Sequence, residues 1–258
     1  MSRDLLEVVS MRDDRLATRP AAAMFDLDNT LYEYERPHAT GMDAVRRKVA
    51  ASLTISPAAF DKAFGTARTK VKERLGHTAA SHSRLLYFNA TVEALGYGPQ
   101  ILLVLDMEQT YWRAFLAAAR LAEGAENLLI ELRAQGVKLA LVTDLTSQIQ
   151  YRKLIHFGID RYFDAVVTSE EAGVEKVGLT PFHMAAEKLG LVAGAPVWMV
   201  GDSTSDIEGS RTALGALAIQ KLWGLNGQRG HPQADIVITG FETLLARVME
   251  WDSADLRR

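Results

Sequence analysis

Ala21-Ala22-Ala23-Met24-Phe25-Asp26-Leu27-Asp28-Asn29-Thr30 sets five apolar residues directly before two acids one residue apart. A short apolar run bounded by polar residues is the pattern of a strand buried on both faces. Further runs of this kind fall at 138–142, 165–167, 197–200, 216–220 and 236–238. Between them lie helical patterns at 125–134, 147–157, 181–189, 205–214 and 241–249, the first ending near Gly136, a residue suited to a helix C-terminus. Strands that alternate with helices and are apolar on both faces predict an α/β fold, a parallel sheet covered on its two sides. Ligands of such sheets bind beyond the carboxyl ends of the strands, where Asp26, Thr143 and Asp202 all fall.

The interval from Tyr32 to Ala122 breaks the alternation. Met42, Val45 and Val49 share a helical face, and Ser56-Pro57 has the chemistry of an N-cap and first helical position. Leu85, Phe88, Val92 and Leu95 recur at steps of three and four before Gly96, and 101–115 supplies another apolar helix. A helical insertion of about ninety residues is no simple loop. It predicts a helical cap at 32–122 over a catalytic core made of 1–31 and 123–258; an extra helical layer on the same core is the alternative.

Two acids leaving a buried strand repel one another unless a cation or proton compensates, and a divalent metal with oxygen ligands is the natural remedy. An isolated Asp-x-Asp has a blander reading, with one acid capping a turn and the other solvated. A second pair weakens that reading: Gly201-Asp202-Ser203-Thr204-Ser205-Asp206 again sets an acid at the end of an apolar run, with Asp206 one helical turn further on. Thr143, at the end of Leu-Ala-Leu-Val, offers a hydroxyl to a phosphate oxygen, and Lys176 stands just before the helix near Pro181. Alone, the threonine is a strand-end residue and the lysine a solvated one. Four such features in this order, three at strand ends, are hard to obtain by coincidence.

These motifs, Asp26-x-Asp28-x-Thr30, Thr143, Lys176 and Gly201-Asp202-Ser203-x-x-Asp206, resemble those of the haloacid dehalogenase-like hydrolase superfamily. The resemblance runs from about Ala21 to Ile238, and its details are most similar to the branch of nucleotidase-like and sugar-phosphate phosphatases. It implies a Rossmann-like core with an all-helical C1 cap, and a magnesium-dependent phosphatase acting on a small phosphate monoester through an aspartyl-phosphate. It makes Asp26 the nucleophile and Asp28 the general acid and base, a role that calls for a raised pKa. Magnesium is assigned to the Asp26 carboxylate, the Asp28 backbone carbonyl and Asp202, with Asp206 in support, and Thr143 and Lys176 to the phosphate oxygens. Haloacid dehalogenases lack an acid at the position of Asp28, so its presence favours phosphate esters. A phosphomutase, a receiver-like phosphate acceptor and a non-catalytic capped binding module are the competing readings.

Two residues depart from the family pattern. Asp144 follows Thr143 where Asn is common, and Val177 follows Lys176 where Pro is usual. An extra carboxylate beside phosphate is repulsive unless it faces the metal shell or a cationic substrate group. Elsewhere the readings stay paired. His38, His77 and His82 touch substrate or are scattered surface histidines; Trp112 and Trp223 are packing residues before stacking platforms; Glu170 and Glu171 position Lys176 or are solvated.

Composition bounds the rest. A hydrophobic share of 48% against 24% charged residues, over 258 residues, is that of a soluble globular chain with one core or two modest ones. A formal net charge of -3 without a long basic run gives no reason to expect a nucleic-acid polymer as partner, so a phosphorylated metabolite must find local cations or a metal. The absence of cysteine removes thiolate catalysis and disulfides and fits a cytoplasmic protein. The charged first twenty residues are unlike a secretory signal, and no stretch nears the ~20 apolar residues of a membrane span. Oligomeric state has no signature in the sequence.

Overall fold

The computed structural model describes residues 8–11, 14–224 and 230–255. Its centre is a seven-stranded sheet: β1 (Val8–Met11), β2 (Ala22–Phe25), β3 (Lys138–Thr143), β4 (Ala165–Thr168), β5 (Val197–Gly201), β6 (Leu217–Lys221) and β7 (Ile236–Ile238). The order across the sheet is β1-β7-β6-β5-β2-β3-β4. Six strands run parallel, and β1 alone is antiparallel, closing the edge against β7. The six apolar runs thus form the six parallel strands, as the α/β, Rossmann-like expectation requires. Nothing in its charged surroundings marked 8–11 as a strand.

Along β2 the side chains alternate between two apolar clusters. Ala23 and Phe25 join one cluster, and Ala22 and Met24 the other. The first is covered by α5 (Ala125–Ala134), α6 (Ser147–Phe157) and α10 (Glu242–Asp255), the second mainly by α8 (Thr180–Lys188), with Ala213 and Leu214 of α9 (Thr204–Leu214) packed against it. A one-turn helix, α7 (Ser169–Ala172), follows β4. β2 lies between β3 and β5, so the chain winds away from it in both directions. A strand order that reverses at β2 opens a crevice beyond its carboxyl end, which is where Asp26 follows.

Residues 32–122 form α1 (Glu35–Ser52), α2 (Pro57–Leu75), α3 (Arg84–Ala94) and α4 (Ile101–Ala118), with a short 3-10 turn at Ala79–His82. Ser56 caps α2 by accepting the Ala59 amide at 3.2 Å ahead of Pro57, and Ser83 caps α3 in the same way through Leu86. Met42, Val45 and Val49 form the buried stripe of α1. The chain leaves and re-enters the sheet region side by side: Tyr32 bridges Leu121, and the Ala122 amide donates to the Leu31 carbonyl at 2.8 Å. Among the described residues no helix is long and apolar enough to cross a membrane.

The close approach of α1 to α4 depends on Gly41. A Cβ there would lie 2.8 Å from the Tyr111 ring and 3.1 Å from the Tyr111 carbonyl oxygen. Gly41→Val is expected to lower the unfolding free energy by about 1–3 kcal/mol in urea titrations. Gly65→Ala on α2, where the added methyl meets nothing within 4 Å, should raise it by about 0.5–1 kcal/mol.

Candidate active site

Asp26 is the first residue beyond β2, and its amide donates to the Val200 carbonyl of β5 at 2.9 Å, which fixes the backbone at the mouth of the crevice. The chain then turns sharply. Asn29 takes a left-handed φ of 61°, a conformation asparagine tolerates better than most residues. Its side chain accepts the Tyr34 amide at 3.0 Å, and its carbonyl accepts the Trp223 indole N–H at 2.5 Å. The turn returns the Thr30 hydroxyl to Asp26 Oδ2 at 3.1 Å.

Lys176 reaches Asp26 from the other side. Its Nζ lies 2.6 Å from Asp26 Oδ1 and 2.6 Å from Asp206 Oδ1, and all three side chains are buried. Burial alone would lower the lysine pKa, but the charges of Asp206, Asp26 and Asp144 outweigh it and hold the ammonium well above its ordinary value. Asp206 caps α9: its Oδ2 accepts the Ser203 amide at 3.0 Å, while the Ser203 hydroxyl accepts the Asp206 amide at 3.2 Å. Gly201 leaves room for it, since a Cβ there would stand 2.4 Å from Asp206 Cβ and Cγ.

One carboxylate oxygen from each of Asp26, Asp202 and Asp206 lies within 4.8 Å of the others. Burial, only partly offset by Lys176, and the nearby charges of Asp206, Asp202 and Asp28 hold Asp26 well above the usual carboxylate range. Burial and then Asp206 push Asp202 up to about 7. Three crowded acids around one ammonium leave negative charge uncompensated, and a hard divalent cation with oxygen ligands fits that donor set. Asp28 contributes no carboxylate oxygen to this group.

The Asp28 side chain turns instead to a cluster that the sequence did not announce. Lys153 Nζ lies 2.6 and 2.9 Å from its two oxygens, the Gln150 amide donates to Oδ2 at 3.1 Å, and the Tyr32 hydroxyl donates to Oδ1. Burial is the largest influence and raises the pKa. The Lys153 charge and the hydrogen bonds from Lys153, Tyr32 and Gln150 together overcome it, so the group sits below its ordinary value. This corrects the expectation of a raised Asp28 pKa, because the cluster supplies one cation and two neutral donors where neighbouring acids were anticipated. Lys153 and Gln150 lie on the buried stripe of α6 with Ile149 and Leu154. Two long polar side chains in an apolar helical stripe were the available signal.

Thr143 is buried at the end of β3, its hydroxyl accepting Gln150 Nε2 at 2.6 Å. Asp144 faces neither acids nor open cavity alone: its Oδ1 accepts the Lys176 amide at 3.0 Å. The two departures from the family pattern therefore meet, since the unexpected carboxylate fastens the turn that lacks proline. Leu145 follows with φ 134°, a strained value for a branched side chain, and its amide donates to Ser169 Oγ at 2.9 Å. Glu170 and Glu171 do not position Lys176; they take the Ser147 amide and Lys188. Glu175 reaches across to the 3-10 turn before α3, meeting His82 Nε2 at 2.7 Å, Ser81 Oγ at 3.2 Å and His77 Nδ1 at 3.2 Å. His38 packs flat on Tyr34 inside the helices, and Trp112 packs edge-on against Tyr111 and Phe115.

Asp26, Asp28, Lys176 and Asp202 open on a cavity of about 280 Å³ whose other wall is formed by α2–α4. The sequence model of the haloacid dehalogenase-like hydrolases matches residues 20–213, which carry all four motifs. The chain belongs to this family. A ribulose-1,5-bisphosphate 5-phosphatase of Halopiger xanaduensis is 36% identical over 190 residues, 73% of this chain and 80% of that one. A glyceraldehyde 3-phosphate phosphatase of Methanocaldococcus jannaschii is 32% identical over 204 residues, 78% and 84% of the two chains. Among solved structures of haloacid dehalogenase-like hydrolases, a magnesium-bound protein of Bacillus subtilis superposes with a TM-score of 0.65 at 21% identity, over 90% of this chain and 99% of that one.

In this member of the haloacid dehalogenase-like hydrolases the role of Asp144 can be separated from its charge. Asp144→Asn keeps an Oδ1 acceptor for the Lys176 amide and is expected to retain most of the wild-type kcat/KM. Asp144→Ala frees the lysine turn and should lower kcat/KM by on the order of tenfold or more, the equivalent of one charged hydrogen bond. Equal loss in both variants would show that the charge, and not the anchor, matters.

Proposed function

We propose that this chain is a magnesium-dependent phosphatase that frees phosphate from a small phosphorylated sugar by way of a phosphoryl group carried on Asp26. Its class is that of the phosphoric monoester hydrolases. The observation that carries the reading is the placing of Asp26: a buried carboxylate at the head of a small cavity, beside Lys176 and two further acids. The relatives named for ribulose-1,5-bisphosphate and glyceraldehyde 3-phosphate support a sugar phosphate as substrate. In the same reading residues 32–122 are a cap, closing over a core of 1–31 and 123–258.

Asp26, Asp202 and the Asp28 backbone carbonyl would hold Mg2+, with Asp206 beside them, and the ion would supply positive charge against the phosphoryl oxygens. The residues do the rest. A carboxylate oxygen of Asp26 attacks phosphorus as the bond to the ester oxygen breaks, and that oxygen leaves with a proton from Asp28. Asp28 then takes a proton from water as the water oxygen attacks phosphorus, which releases inorganic phosphate and restores the Asp26 carboxylate. Ester and water become alcohol and phosphate, with no net proton change on the enzyme. Lys176 and Thr143 hold the non-bridging oxygens. Lys153 keeps Asp28 ionised before substrate enters; a phosphate dianion in the cavity that both residues line raises the Asp28 pKa and competes for the ammonium. Asp28 therefore takes up one proton from solvent as substrate binds and returns it after phosphate leaves.

Magnesium-dependent phosphate release should be measured over a panel of sugar phosphates, beside Asp26→Asn. Chelation by EDTA and the substitution are each expected to lower kcat by on the order of 10³-fold or more. Turnover that survives in Asp26→Asn would sink the covalent route. Calorimetric Mg2+ titration should show binding lost in Asp202→Ala, and unchanged affinity would remove Asp202 from the ligand set.

A further inference from the structure

Five lysine and arginine side chains line the cavity, and two of them are engaged with acids. Lys176 is held between Asp26 and Asp206, and Lys153 is paired with Asp28. Arg68 and Lys72 on α2 and Arg84 at the start of α3 have no carboxylate at ion-pair distance among the described residues. The acid that acts on Lys72, Glu175, is itself occupied by His77, Ser81 and His82.

Arg84 is the most confined of the three. Its guanidinium lies 5.3–6.0 Å from the ring centres of Tyr34, Tyr87, Tyr111 and Trp112. Nη1 donates to the His82 carbonyl at 2.8 Å and Nη2 to the Tyr34 hydroxyl, while Nε is buried with no hydrogen-bond partner. Aromatic faces compensate a cation only in part, and an enclosed charge without a counter-ion is costly. Lys72 feels the same crowding: burial, then the charges of Arg68 and Arg84, push its ammonium below the ordinary lysine value. Burial and then Arg84, Arg68 and Arg46 hold His38 near 4, so the imidazole adds no further positive charge at neutral pH. Arg68 alone would be an ordinary solvated arginine. Three cations converging on one small cavity, Lys72 half-buried and Arg84 enclosed by rings, make a field that an anion must complete.

The transferred phosphate already has Lys176 and the metal-binding acids on the opposite wall. Resting on the phosphatase reading above, we infer that Arg68, Lys72 and Arg84 form a second anion subsite, which takes a phosphate or carboxylate at the far end of the substrate. The preferred substrate is therefore a small molecule with two anionic ends.

The test uses the full chain with Mg2+ and four probes: p-nitrophenyl phosphate, ribulose 5-phosphate, ribulose 1,5-bisphosphate and 3-phosphoglycerate. At least one of the two doubly anionic probes should exceed ribulose 5-phosphate in kcat/KM by on the order of tenfold or more, and their ranking tells whether the distal group is phosphate or carboxylate. Arg68→Gln and Lys72→Gln, on accessible or half-buried positions, should each lower kcat/KM for the preferred probe about tenfold more than for p-nitrophenyl phosphate, chiefly through KM. No preference in the wild type, or equal losses on all probes, overturns the subsite. Absence of p-nitrophenyl phosphate turnover strikes the phosphatase reading instead. Calorimetric binding of ribulose 1,5-bisphosphate and 3-phosphoglycerate then decides the subsite, with affinity weakened in both variants supporting it and affinity unchanged overturning it.

Discussion

The ammonium of Lys176, 2.6 Å from one oxygen of Asp26 and 2.6 Å from one of Asp206, is the contact on which the rest of the centre depends. It joins three separate pieces of chain: the end of β2, the turn before α8 and the first turn of α9. A buried ion pair yields little net stability by itself, but losing one partner leaves charges stranded. Here the loss would strand two carboxylates. The surrounding sequence serves this contact. Gly201 clears space for Asp206, Ser203 holds the second Asp206 oxygen, and Asp144 holds the backbone of the lysine itself.

The sheet was legible because each of its six parallel strands is apolar on both faces, a pattern that depends on local sequence alone. β1 was not, for its pairing with β7 depends on a partner more than two hundred residues away. Asp26, Lys176, Asp202 and Asp206 were legible because their motifs stand at strand ends, and the fold brings strand ends together. The setting of Asp28 was harder to read. Proximity to Asp26 in sequence implied repulsion between acids, whereas the deciding partner, Lys153, arrives from α6, 125 positions along the chain. Asp144 was recognised as anomalous, but the backbone amide it binds has no representation in a motif.

The cavity has two electrical halves. One wall carries three acids whose oxygens suit a divalent cation, and the other carries cations with no carboxylate at ion-pair distance among the described residues. The helices contribute the second half through side chains whose spacing is only that of ordinary amphipathic helices. Helical periodicity shows which residues face inward but not whether the inner face meets a neighbour or a substrate, so Arg68, Lys72 and Arg84 could not be told from surface charges in advance. Tyr34, Tyr87, Tyr111 and Trp112 around Arg84 make the difference visible only in three dimensions.

Glu175 and Lys176 are adjacent in sequence yet face different parts of the molecule. One grips the turn that leads into α3, and the other grips Asp26 at the end of β2. The two grips therefore share one short piece of backbone, the turn that leads into α8. Two neighbouring residues thus carry two different fastenings, one to the helices and one to the charge at the carboxyl end of β2.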